Sequence, residues 1–92
     1  MEITTKSGFT LKLDKETLDD WRITEAIADA GSEDDTSLQL KGIVALTRLI
    51  FRDQKKAYFA HISKSNGGRV PNSVVNEDIT DIFEQIKEAK NS

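Results

Sequence analysis

The stretch from Leu38 to Phe51 places apolar residues on almost every side of a helix, and this restricts the fold more than any other feature. Leu38, Leu40, Ile43, Val44, Leu46, Leu49, Ile50 and Phe51 together cover most of the circumference. A helix apolar all round is one that other elements enclose. It is therefore expected to be the central, most buried helix of the chain, running to about Phe51. Asp35 or Thr36 supplies its cap, since a short polar side chain can accept a bond from an orphan N–H of the first turn. Gly42 lowers helix propensity by roughly 1 kcal/mol relative to Ala. Its presence permits close packing instead.

The flanking segments supply what would enclose it. Glu2-Ile3-Thr4-Thr5 and Phe9-Thr10-Leu11-Lys12-Leu13 are rich in β-formers, and Lys6-Ser7-Gly8 between them supplies a turn. This predicts a short hairpin with Ile3, Phe9, Leu11 and Leu13 available for packing. Two strands alone are marginal, so the hairpin must rest on the helices. Asp14 or Thr17 is a candidate cap for the next helix, and Asp19 a second candidate start. Leu18, Trp21, Ile23, Ala26, Ile27 and Ala30 follow helical spacing up to Gly31. After the Leu38–Phe51 helix, Asp53 is expected to cap a helix from Gln54 to about Lys64. Its apolar face comprises Ala57, Tyr58 and Ile62, with Phe59 and His61 beside it. Asn66-Gly67-Gly68 ends that helix, and Arg69-Val70-Pro71 is extended, because the residue before proline avoids the helical region. Asn72 or Ser73 caps a last helix with the stripe Val74, Val75, Ile79, Ile82, Phe83 and Ile86.

The expected fold class is mainly α, an N-terminal β-hairpin packed on a bundle of about four short helices. Its 92 residues form a single domain, with the hairpin over 1–13, the helical part over 14–90 and a frayed tail over 89–92. A chain of this size buries roughly 60–65% of its unfolded surface, enough for one modest core. Stability is then small, and a partner or a second copy can add to it.

Several chemistries find no support in the residues. There is no cysteine, so disulfides and thiolate chemistry are excluded. His61 is the single histidine, and a zinc site would need more such ligands. Ser63, Ser65 and Ser73 sit in ordinary polar contexts, so His61 reads as a partly buried helical histidine and not as a triad base. The pairs Asp19-Asp20 and Asp34-Asp35 read as helix-start acids, since adjacent helical residues do not face each other and acids suit the first turn. The loop Gly31–Asp35 lacks the ligand spacing of an EF-hand. Asn66-Gly67-Gly68-Arg69 lacks the longer glycine pattern of a phosphate loop. No catalytic residue, cofactor site or metal site is expected. No apolar run approaches the roughly 20 residues that span a bilayer. The N-terminus lacks the order of a signal peptide, so a cytoplasmic, non-secreted protein is expected, without a membrane partner.

Charge is sorted along the chain. Residues 1–35 hold four bases and ten acids, residues 36–69 seven bases and one acid, Asp53, and residues 70–92 two bases and five acids. This acidic–basic–acidic order predicts contacts between opposite surfaces, within one molecule or between copies. The basic middle, interleaved with Phe51, Tyr58 and Phe59, also suits a nucleic-acid surface. The flanking acids favour protein contacts over nucleic acid. Candidate partner-binding residues are Asp19, Asp20, Trp21, Asp34, Asp35, Arg48, Arg52, Lys55 and Lys56. Trp21, the single tryptophan, either anchors the hairpin to the helices or faces a partner as a hot spot.

The strings Thr5-Lys6-Ser7-Gly8-Phe9, Leu18-Asp19-Asp20-Trp21, Asn66-Gly67-Gly68-Arg69-Val70-Pro71 and Ala89-Lys90-Asn91-Ser92 occur in this order. In that order they resemble small tail assembly chaperones of long-tailed phages and prophages of Gram-positive bacteria. The likeness covers nearly the whole chain. It implies a non-enzymatic protein that coats the tape measure protein until the tail tube protein polymerises around it, in the cytoplasm of the bacterial host. It also implies self-association. Such chaperones are often made in two lengths by a ribosomal slip, and Ala89-Lys90-Asn91 is compatible with the slippery string A-AAA-AAC if its codons are GCA, AAA and AAC. The competing readings are a small nucleic-acid-binding phage regulator and a structural head–tail or tail connector.

Overall fold

The computed structural model describes residues 1–91, and the side chains of residues 1–88. Two antiparallel strands, β1 (Glu2–Thr4) and β2 (Thr10–Lys12), pair Ile3 with Leu11 and Thr4 with Thr10. The one-turn helix α1 (Lys15–Leu18) follows, then α2 (Trp21–Ala30), α3 (Thr36–Phe51), a 3-10 turn over Arg52–Gln54, α4 (Lys55–Ser65) and α5 (Asn72–Asn91). The chain is mainly helical, with an N-terminal hairpin packed on the helices, as expected from the sequence.

The hairpin alternates as its pattern requires. Ile3, Leu11 and Leu13 are buried, while Glu2, Thr4, Thr10 and Lys12 are exposed. The turn closes with Thr5 N–H donating to the Phe9 carbonyl at 2.8 Å and Gly8 N–H to the Thr5 carbonyl at 2.9 Å. Gly8 stands at φ +94°, where a side chain would be strained. The free edge of β2 is paired by a side chain. Gln54 accepts from Lys12 N–H at 3.1 Å and donates to the Lys12 carbonyl at 2.9 Å, as a neighbouring strand would.

Several expected boundaries move. Asp14 stands at the N-cap position of α1, as one of the two expected candidates, though its side chain makes no cap bond; Thr17 lies inside α1 and Asp19 follows it. The main helix α2 begins separately at Trp21, capped by Asp20, which accepts from Arg22 N–H at 2.9 Å. Asp35 caps α3 as anticipated, accepting from Leu38 N–H at 3.1 Å. Asp53 does not cap α4. It lies inside the 3-10 turn, and Gln54 is the residue before the helix. Ala57, expected on the apolar face of α4, is exposed, whereas Tyr58 and Ile62 are buried. Helix α5 already includes Asn72, so neither Asn72 nor Ser73 precedes it as a cap. Its helical backbone continues to Asn91, and Ser92, the end of the expected frayed tail, lies outside the described residues.

The largest departure concerns α3. Gly42, Leu46, Thr47, Ile50 and Phe51 are buried, but Leu40 is 53% exposed and Val44 61% exposed. The helix is central on one side only. Gly42 does allow the close approach that its position suggested: a methyl group there would stand 2.6 Å from the Ala26 carbonyl oxygen and 2.9 Å from Ala30 Cα. Helix α2 therefore lies backbone-to-backbone on α3. On the opposite side of α3 Leu40 and Val44 stay in the open, while Phe51, further along that side, is buried.

The core runs from the hairpin through α3 and α4 to α5. Phe51 and Tyr58 stack at 3.9 Å with ring planes 11° apart. Phe9 meets Tyr58 edge-on at 5.4 Å and Phe51 at 6.2 Å, which attaches the hairpin to the helices. Val75, Ile79, Ile82 and Ile86 complete the core from α5.

Candidate interaction site

The buried polar centre of the molecule joins three elements. Asp78 of α5 is 1% exposed. Its carboxylate accepts from Ser7 N–H at 2.9 Å, from the Ser7 hydroxyl at 2.5 Å and from the Tyr58 hydroxyl at 2.8 Å. His61 bonds the Ser7 carbonyl through Nε2 at 2.8 Å. Burial and the Asp78 carboxylate beside it push the Tyr58 phenol well above its ordinary value of 10. Serine, histidine and aspartate thus meet in one cluster, but in an order unlike that of a hydrolase triad. The hydroxyl donates directly to the carboxylate, and the imidazole holds a backbone carbonyl. Among the described residues no buried side-chain nitrogen or oxygen lacks a partner. The cluster fastens the hairpin turn to α4 and α5. Half-buried His61 serves that fastening, in keeping with its expected character.

The predicted partner-binding residues fall into separate places. Asp20, Arg48 and Arg52 line one cleft of about 400 Å³, together with Asp14, Glu16 and Arg22. Arg22 binds Asp20 at 2.6 Å, and with its backbone bond this holds the Asp20 carboxyl down at about 2. The guanidinium of Arg52 adds to that effect and reaches Thr17 Oγ1 at 3.5 Å. Part of the basic middle therefore meets the acidic N-terminal segment inside one chain. Lys55 lies elsewhere, over the Phe59 ring at 5.8 Å. Lys56 is exposed on α4, and Asp34 and Asp35 lie in and at the end of the α2–α3 loop. Asp19 is the exposed residue between α1 and α2.

Trp21 does not anchor the hairpin; it is 72% exposed, and Phe9 is the anchor instead. The acids Asp19-Asp20 break the helical phase after Leu18, so Trp21 starts a new helix. With 3.6 residues per turn, it points almost opposite to Ile23 and Ala26, the buried face of α2. An exposed tryptophan of this kind is a large apolar surface left open among the described residues.

The structure adds a second apolar surface. A groove of about 470 Å³ opens between α3, α4 and the start of α5, floored by Leu40, Val44, Phe59, Val70 and Val75. Lys55 is the charged residue in its lining. The signal was present in the sequence: α3 carries more apolar residues than one face needs, and its neighbours are too few to cover them all.

Among the described residues no group of three or more His, Asp or Glu is arranged to hold a metal ion, and no helix is long and apolar enough to cross a membrane. No family model, curated protein or solved structure matches the chain.

Proposed function

We propose that the protein is a non-enzymatic tail assembly chaperone of a long-tailed phage or prophage, acting in the cytoplasm of a Gram-positive host. In this reading it binds the tape measure protein and itself, and yields to the tail tube protein as the tube polymerises. The observation that carries the reading is Trp21, a 72% exposed tryptophan at the head of an amphipathic helix. Exposed Leu40 and Val44, on another face, add a second adhesive surface. A chaperone must bind without transforming its client, and separate apolar surfaces edged by opposite charge are suited to that work. The resemblance of its short strings, in their order, to those of tail assembly chaperones motivates the same assignment.

Arg48 and Arg52 are drawn into a cleft with acids of their own chain. Lys41, Lys55, Lys56, Lys64 and Arg69 of the basic middle lie outside that cleft. Co-expression with fragments of the tape measure protein encoded nearby tests the reading. The expected result is a stable co-purified complex that keeps the fragments in solution. A chain that ignores every fragment, or that shifts duplex DNA in a salt-dependent manner, would overturn it.

A further inference from the structure

We infer that Trp21 of one molecule seats in the α3–α4–α5 groove of a second copy, joining chains head to tail. This rests on the reading that the protein self-associates, and not on the identity of its client.

The two surfaces cannot meet within one chain. Helix α2 lies on the Gly42 side of α3, while Leu40 and Val44, two residues to either side of Gly42, face away from it. The ridge carrying Trp21 and the groove are therefore on opposite sides of the α2–α3 pair. Each is apolar and each is open, with Trp21 72% and Val44 61% exposed. The groove, at about 470 Å³, is ample for one aromatic side chain lying over Phe59 and Val44.

Charge selects a second copy as the occupant. On α2, Glu25 stands one turn beyond Trp21 on the same exposed stripe. The groove presents Lys55, held across the Phe59 ring at 5.8 Å. A tryptophan seated over Phe59 brings an acid of the donor towards a base of the acceptor. The same match holds for whole segments, since α2 belongs to the acid-rich first 35 residues and α3 and α4 to the base-rich 36–69. Because ridge and groove are different patches, a pair still has one of each free, and further copies can add until the array closes on itself.

Sedimentation velocity of the full chain, from micromolar concentration upwards, reads the assembly. Trp21→Ala and Val44→Glu should each hold the protein monomeric, weakening association at least tenfold. Both positions are exposed, so helical circular dichroism should be unchanged. Should Val44→Glu misfold, Val44→Ser with Leu40→Ser takes its place. Mixing the two variants should then restore one contact, because Trp21→Ala keeps its groove and Val44→Glu keeps its tryptophan. The expected product is a one-to-one dimer that does not grow. Raised salt should weaken it.

Three results would overturn the inference: a wild-type chain that stays monomeric up to millimolar concentration, assembly that survives either substitution, or folded variants that fail to pair when mixed. A wild-type chain that binds the tape measure protein yet never self-associates would overturn this docking and leave the proposed function standing. Assembly without any tape-measure binding would do the reverse.

Discussion

The Tyr58 hydroxyl donates a 2.8 Å hydrogen bond to the Asp78 carboxylate in the centre of the molecule. The bond joins α4 to α5, and the two bonds from Ser7 to the same carboxylate bring in the hairpin turn. Two strands of three residues cannot hold themselves together. Asp78 and the Phe9 ring are what fix them to the helical body.

Asp78→Ala should therefore cost much more than a typical substitution. It strands the Tyr58 hydroxyl and two donors of Ser7, and each buried donor without a partner costs about 1–3 kcal/mol. We expect a loss of about 2–4 kcal/mol in urea unfolding, with the hairpin amides exchanging fastest. Asp78→Asn should cost less, since its amide oxygen still accepts. A loss below about 0.5 kcal/mol, the size usual for surface changes, would show that the cluster does not secure the hairpin.

Tyr58 makes stability depend on alkaline pH. The folded phenol keeps its proton to higher pH than the unfolded one, whose ordinary value is 10. The stabilisation is full below pH 10 and is lost as pH rises through the folded value. Tyr58 is the single tyrosine, so phenolate absorbance reads it directly. Native protein should titrate well above the denatured chain, and Tyr58→Phe should remove the tyrosine contribution to alkaline unfolding. Coincident titrations of native and denatured protein would refute this.

Gly42→Ala should destabilise although alanine is the better helix former. The gain in propensity is about 1 kcal/mol. The added methyl meets the α2 backbone at Ala26 and Ala30, which cannot turn aside as a side chain could. Overpacking of this kind costs about 1–3 kcal/mol, and backbone contact places it at the upper end or beyond. A net loss of about 2 kcal/mol in denaturant unfolding is expected; a more stable variant would mean that α2 and α3 do not touch there.

Arg52 is the one non-glycine residue at positive φ among those described, at φ 51° and ψ −122°. Backbone held there costs about 1–3 kcal/mol. Glycine adopts it freely but loses about 0.5–1 kcal/mol through the unfolded chain. Arg52→Gly should thus raise stability by about 0.5–1 kcal/mol, whereas Arg52→Ala should not. Equal effects of the two substitutions in thermal unfolding would argue against strain at this turn.

Asp20 sets an acidic limit for α2. Arg22 holds its carboxyl at about 2 in the folded protein, against 3.8 ordinarily. The stabilisation it gives is present above pH 4 and fades as pH falls towards 2. Asp20→Asn should flatten the fall in helix content over that window. Because the pair lies at the surface, salt should weaken the effect.

Much of the fold is legible in the spacing of apolar residues. The alternation from Phe9 to Leu13, the stripe from Val74 to Ile86 and the cap at Asp35 each depend on local geometry, which the chain writes into neighbouring positions. What escapes such a reading depends on partners distant in sequence. Asp78 occupies a core position between Val75 and Ile82, and its reasons lie at Ser7 and Tyr58, which no local pattern connects to it. The anchoring role for Trp21 fails because helical spacing does not carry across Asp19-Asp20, where one helix ends and another starts. Of the candidate site, its polar residues could be named from the charge order, but not which of them neutralise one another within the chain. The groove was invisible for a related reason. An all-round apolar helix shows how much surface needs covering, and only the packing of α4 and α5 shows which part stays open.

If the protein binds its partners through apolar surfaces, as proposed, the emission of its single tryptophan reports it. In dilute solution Trp21 should emit as a water-exposed indole and be readily quenched by iodide. Addition of a phage tape measure protein, the client of the proposed function, should shift the emission to shorter wavelength and protect it, in a saturable manner. A tryptophan already shielded in the dilute chain, or one unmoved by saturating tape measure protein, would contradict the account.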